Sequence, residues 1–468
     1  MNQPVIKLFD IENGHDRTAS ALFESVTDLP LVCPHTHIPP EIFLAAPRRV
    51  ADPARLFILS DHYVLRMLFS QGVPFESFGI YASSQGSKIE PKAIWLKFCK
   101  LFYLFDGTPT GLWIENTLSM VFGVTEKPCS ENAVNLFDQI TKLLESDDYS
   151  PRNLFKNINI ETLCTTDRAL DMLDAHQELM GSGWPGHVLP TFRPDNLVEI
   201  DKPTWPLAVL ELEDKSGIQI SGLPDFIKAI ETRRAYFKSH GAKAADHGVE
   251  TPFTCQLTSL EADKLFQRGL TQSLSPDEAA RFKGFMLFEM ARMSVEDGLV
   301  MQLHAGAYRN HNATVFEMFG PDMGFDIPVQ VEWTRNLKPL LDAFGMDARL
   351  RLILFTLDES SYSRELAPIA GAYSAVKLGP PWWFLDSPNG MARYFDLVME
   401  TAGIENTVGF NDDSRTLLAI PARHDLWRRM SALWLAKLVH RGQLDMQTAK
   451  ERMADLAYRL VKRSYRLA

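Results

Sequence analysis

Eight short apolar runs, most of them separated by sequence of helical character, constrain this chain more than any other feature. They fall at 31–37, 160–167, 187–193, 242–248, 299–306, 350–358, 374–379 and 407–415. Buried parallel strands read as continuous apolar runs, and strands that alternate with helices pair in parallel. Eight such units predict an α/β chain folded as a (β/α)8 TIM-type barrel. A doubly wound open sheet is the competing arrangement, but no glycine-rich fingerprint follows the first run. Pro190 weakens the third run, because proline has no N–H to give to a ladder.

Between the first two runs, at about 41–159, the sequence holds no convincing series of strands. Leu56, Leu59, Tyr63 and Met67 recur at helical spacing, as do Ile94, Phe98, Leu101 and Leu104. This predicts a large helical insertion after the first strand. Further on, Ser275-Pro276-Asp277-Glu278 is a capping box with proline at the first helical position. Helices are expected again from about 425 to the end, where Met446, Ala449, Met453, Leu456, Ala457 and Leu460 make one stripe. No repeat, low-complexity segment or linker marks a boundary, so the expectation is a single domain over 1–468.

Chemistry is to be sought where the runs end, the face on which barrel active sites are built. The first run ends in His35-Thr36-His37. On a strand, residues i and i+2 share a face, so the two imidazoles converge. Pro34, Pro39 and Pro40 also allow a plain turn with two incidental histidines. The other runs end in Asp167, Arg193, Asp246-His247, His304, Asp358, Trp382-Trp383 and Asp413 with Arg415. Any one of these has a dull explanation as a loop cap, a surface ion pair or a satisfied core histidine. A purely structural barrel, however, does not need an ionisable group at nearly every strand end. His35 and His37 become neighbours of Asp413 when such a barrel closes. That gives two nitrogens and a carboxylate oxygen with positions left open, the set a catalytic zinc uses. His304 is a further ligand or a hydrogen-bonding partner from across the barrel. Arg193, Arg309 and Arg415 suit the bidentate clamping of an anionic substrate.

A net charge of −11 weighs against nucleic acid or an anionic membrane as the main partner. No apolar run is long enough to span a bilayer. Five scattered cysteines without CxxC spacing fit reduced thiols rather than a disulfide framework. Residues 1–16 lack the apolar core of a signal peptide, so the expected setting is the cytoplasm. A homo-oligomer is left open.

Read in order, the motifs resemble the uronate isomerases (glucuronate isomerases) of the amidohydrolase superfamily over nearly the whole chain. They are His35-Thr36-His37, Asp61-His62-Tyr63, Thr165-Thr166-Asp167 and Pro190-Thr191-Phe192-Arg193-Pro194-Asp195. Asp246-His247, the stretch from Gln302 through His304 to Arg309-Asn310, Pro381-Trp382-Trp383-Phe384, Asp413-Ser414-Arg415, Arg423-His424 and Arg428-Arg429 follow. The resemblance implies a barrel with an inserted helical region and one divalent metal, usually zinc. It implies a small hexuronate substrate, glucuronate converted to fructuronate or galacturonate to tagaturonate, by proton transfer through a cis-enediol. By position, Asp413 is ligand and proton carrier, while His62 and Tyr63 act at the sugar oxygens. Arg193, Arg309 and Arg415 bind carboxylate or hydroxyls, Asp246 orients polar partners and Trp382 walls the pocket.

The chain departs from the family pattern at Cys33, where an aspartate is usual, and at Asp412, where a threonine is usual. Arg168 replaces a second acid, and the sequence after Tyr63 is more apolar than in the family. These departures bear on the substrate more than on the metal. They keep in view a hydrolase or decarboxylase of another small carboxylated substrate. A catalytically silent binding barrel is a third reading, against which the full ligand set argues.

Overall fold

In the computed structural model, which describes residues 14–44, 52–82 and 89–467, seven of the eight runs form barrel strands. The N-terminal stretch examined for a leader lies almost wholly outside the described residues. β1 is Leu31–Cys33; β2, Ile160–Cys164, continues as Asp167–Arg168; and β3, His187–Leu189, continues as Phe192–Arg193. β4 is Ala244–Val249, β5 Val300–Ala305, β6 Leu352–Thr356 and β7 Val376–Leu378. Each pairs in parallel with the next in chain order. Pro190 falls at the break in β3, as its missing N–H dictates. Bonds from Thr165 N to Leu189 O (2.9 Å) and from Asp167 N to Thr191 O (3.1 Å) carry the pairing across the gap.

The eighth run departs from expectation and makes no strand of its own. Gly409 at φ +76° and Asp413 at φ +43° pull it out of the extended region, so only its ends bond. Val408 N donates to Leu378 O (3.0 Å), and His37 N donates to Ser414 O (2.9 Å). These contacts link β7 back to β1 around the ring.

Inward-facing residues are graded along the barrel. Val32, Ala244, Val300, Ile353 and Val408 meet Val461 and Tyr465 from the C-terminal helices in one apolar cluster. Tyr465 donates its hydroxyl to Gln302 Oε1 (2.9 Å), one inward step above Val300. One further step along β5 is His304, so the strand runs from apolar floor to ionisable mouth with a period of two. Just past it, Gly306 adopts φ +100°, and an added Cβ would sit 2.8 Å from Val331 Cγ2. A side chain there would clash as well as strain the turn that takes the chain off the barrel.

Between β1 and β2 every described element is helical, as the spacing predicted. Trp95, Phe98, Phe102, Ile114 and Leu118 of these helices pack with Leu31, Cys33, Ile160 and Leu163 of the barrel wall. The apolar core of the inserted region is therefore continuous with the outside of β1 and β2. The long helix near the C-terminus, Ile420–His440, starts earlier than the expected 425, with Pro421 in its first turn. The predicted capping box forms: Ser275 Oγ accepts from Glu278 N, and the Glu278 carboxylate accepts from Ser275 N.

Candidate active site

At the C-terminal ends of the strands lies a cavity of about 520 Å³, within the usual size for a small-molecule site. His35, His37 and Asp413 sit together in its wall. His37 Nε2 is 3.2 Å and His35 Nε2 3.6 Å from Asp413 Oδ1. Ligands around a tetrahedral zinc, at bonds of roughly 2.0–2.1 Å, stand about 3.4 Å apart. The geometry therefore suits a shared cation. Asp413 Oδ1 is buried and has no hydrogen-bond partner, which a metal bond would satisfy. Burial pulls His35 down to about 4, so its ring is neutral and offers a lone pair. Burial pushes the Asp413 carboxyl up, but the nearby His37, His35 and His304 outweigh it. The carboxyl is held well below its usual range.

Asp413 is held by its surroundings. Its left-handed backbone is costly for a residue with a Cβ, the kind of strain that clusters at functional sites. Asn411 Oδ1 accepts from its N–H (3.2 Å), and Trp382 Nε1 donates to its Oδ2 (2.9 Å).

His304 also lines the cavity. It faces His35 with ring centroids 5.0 Å apart and stacks on Phe355. Its Nδ1 donates to Asp246 Oδ1 (2.6 Å), while Nε2 is buried without a partner. It groups with His35 and Asp246 rather than with the His35–His37–Asp413 set. Asp246 is fully buried and does not line the cavity, so it lies behind His304 instead of touching a bound molecule. Burial raises its carboxyl, but His304 and Arg193 more than offset this and keep it ionised. Arg193 lines the cavity but gives Nη1 to Asp246 (3.1 Å) and Nε to Asp195 (2.8 Å). What it offers a ligand is charge and its remaining donors.

The Asp61-His62-Tyr63 motif has a local cause. Asp61 caps helix His62–Ser70, accepting from Tyr63 N (2.8 Å) and Val64 N (3.4 Å), and so sets His62 and Tyr63 in the first turn facing the cavity. His62 stacks on Tyr63 and meets Trp383 edge-on. Burial, with the charge of Arg415 behind it, lowers His62 to about 3. Burial raises the Tyr63 phenol, which stays protonated. Arg309 binds Asp326 (2.7 Å) and lies over the Trp383 ring, while Arg415 is exposed at the rim.

Other strand-end residues fall outside the cavity lining. Asp167 accepts from Thr165 Oγ1 (2.6 Å), Asp358 from Val331 N (3.1 Å), and His247 Nδ1 contacts Gln302 O (2.9 Å). Conversely, Arg168, Glu199 and Lys202 line it, as do Thr110, Trp113 and Thr117 of helix Pro109–Phe122. These helical residues carry no spacing that announces a site. The one trace is the run of buried polar residues Asn116, Thr117 and Ser119 in an otherwise apolar helix.

Comparison with known proteins covers nearly the whole chain. Residues 9–465 match the family model described as Glucuronate isomerase. A uronate isomerase of Nostoc punctiforme is 50% identical over 461 residues, covering 98% of each chain. The crystal structure of glucuronate isomerase from Caulobacter crescentus is 42% identical with a TM-score of 0.95, over 99% of this chain and 98% of that one. A uronate isomerase from Thermotoga maritima is 30% identical with a TM-score of 0.90, over 96% and 97%. With the family model spanning the chain and relatives matching end to end, the chain belongs to the uronate isomerase family and is an isomerase.

Proposed function

We propose that this cavity interconverts an aldehyde-form hexuronate and its keto form, D-glucuronate with D-fructuronate and D-galacturonate with D-tagaturonate. In it one divalent metal, zinc, would be held by His35, His37 and Asp413. The observation that carries this is Asp413 Oδ1, buried and unbonded, at 3.2 and 3.6 Å from two imidazole nitrogens. It stands in a cavity that Arg168, Lys202, Arg309 and Arg415 also line. When bound, the metal supplies a Lewis acid that polarises the oxygen beside the reacting carbons.

The chain supplies the rest. Asp413 carries the proton between adjacent carbons, its Oδ2 fixed by the Trp382 N–H. Tyr63, protonated, donates to a sugar oxygen, and the neutral ring of His62 serves the neighbouring one. Arg309 and Arg415 take the substrate carboxylate through paired N–H donors. Asp246, Arg193 and His304 form a buried relay that holds the wall opposite. Cys33 and Asp412, the two departures nearest the ligands, do not line the cavity, which supports an unchanged substrate class. Five cysteines without disulfides suit the cytoplasm.

Metal-loaded protein, with zinc quantified on the same sample, should form a ketouronate from glucuronate or galacturonate, followed through an NADH-coupled reductase. Zinc-replete protein that turns over neither sugar overturns the proposal.

A further inference from the structure

Behind the candidate ligands lies a second set of donors. Cys33 precedes His35 by two residues on β1, Asp412 directly precedes Asp413, and His424 faces both from helix Ile420–His440. All three are buried, Cys33 and Asp412 completely. His424 Nε2 stands 3.7 Å from Cys33 Sγ and 3.6 Å from Asp412 Oδ1. The donor atoms all lie within 4.8 Å of one another.

The carboxylate is the anomaly. Neither oxygen of Asp412 has a hydrogen-bond partner, although the residue has no exposure to water. A buried carboxylate left in that state is among the most expensive groups a fold can hold. Arg423, beside it, is engaged elsewhere: its Nη1 binds Asp386 and donates to the Asp412 backbone carbonyl (3.1 Å), not to the carboxylate. Asp386, Asp412 and Asp413 thus share the field of one guanidinium. Asp413 has its own prospective cation; Asp412 has none.

We propose that Cys33, Asp412 and His424 form a second metal site, structural in role and selective for zinc. In a tetrahedral zinc site with Zn–S near 2.3 Å and Zn–N near 2.0 Å, sulfur and nitrogen stand about 3.6 Å apart and nitrogen and oxygen about 3.4 Å. Both observed separations are close to these values, and the nitrogen–oxygen one is long for a good hydrogen bond. A thiolate in the set favours zinc over magnesium, calcium or manganese. On loading, the Cys33 proton leaves to solvent as the Zn–S bond forms. The ion ties β1, the 407–414 segment and the outer helix into one unit, and so steadies the backbone that carries His35 and Asp413. It touches neither substrate nor reacting atoms.

The test uses the full chain. Wild-type protein should hold two zinc ions, with a zinc–sulfur component in the X-ray absorption spectrum. Its cobalt(II)-exchanged form should show a sulfur-to-metal charge-transfer band. Cys33→Ser and His424→Gln should each fall to one metal and lose the band, whereas His37→Asn should fall to one metal and keep it. A wild-type chain with one zinc and no sulfur ligand overturns the second site while leaving the first intact. So does a band that survives Cys33→Ser. The wild-type measurements need no variant, so they decide the matter even where a substitution fails to fold.

Discussion

Trp382 and Asp413 are joined by a single bond that decides which carboxylate oxygen faces the histidines. The indole N–H donates to Oδ2 at 2.9 Å, leaving Oδ1 toward His35 and His37. Trp382→Phe keeps the wall and frees the carboxylate to rotate. Losing a partner of this kind typically costs about 10–100-fold in metal affinity or activity. Metal titration and steady-state kinetics on the same variant should both show the loss; unchanged values would mean the bond is incidental.

Asp413→Asn should abolish turnover while leaving the far-ultraviolet circular dichroism intact, because an amide neither carries the proton nor neutralises the metal. A folded, metal-replete variant that retains activity would refute the role assigned to Asp413. Chelation of the wild type should give the same silence, reversed by added zinc.

Asp246 holds His304 at 2.6 Å and Arg193 at 3.1 Å. Asp246→Asn weakens both grips at once and should lower kcat about 10–100-fold, with KM changing less. A variant that alters KM alone would instead place Asp246 in contact with substrate.

Arg415 is exposed at the rim. Arg415→Ala should raise KM for uronates about tenfold or more, the loss expected for one charge-assisted hydrogen bond. Its charge also depresses His62 behind the effect of burial. The pH profile of kcat/KM should therefore shift in the variant, with any limb due to His62 moving upward.

Asp167 offers a pH test away from the ligands. Burial, opposed by its bonds from Thr165 and Thr191, raises it to about 7, against about 3.9 for an unperturbed aspartate. The folded chain thus holds a proton that the unfolded chain releases. The stability this group contributes is full below about pH 4 and is lost as pH rises through about 7. Asp167→Asn keeps an acceptor for both partners and cannot ionise. Its thermal midpoint relative to wild type should rise between pH 5 and pH 8; a flat difference would rule out the titration.

Much of this was legible because the relevant forces are local. Val300 to Ala305 is an unbroken apolar stretch except where Gln302 and His304 point inward, and its strand formed as expected. That His35 and His37 share a side was legible from a two-residue period. The eighth strand was not, because two left-handed residues, Gly409 and Asp413, leave no mark in the hydrophobic pattern. Pro190 did leave one, and β3 breaks at it. That Asp246 ends a strand and orients polar partners is legible, but its place behind His304 is not, since sequence does not show what stands before a residue. Thr110, Trp113 and Thr117 were missed because their part depends on how the inserted helices dock, a long-range matter. Cys33, Asp412 and His424 are likewise united only by the packing of an outer helix on the seam.

The seam itself has a consequence in time. The ring closes where the first strand meets the 407–414 segment, and Tyr465 seals its floor. During synthesis the histidines emerge early, but the carboxylate that completes their set follows only after every strand has been made. Until that segment has been made, the two histidines stand without the carboxylate and the metal trap is unfinished. Metal capture therefore waits on closure of the seam.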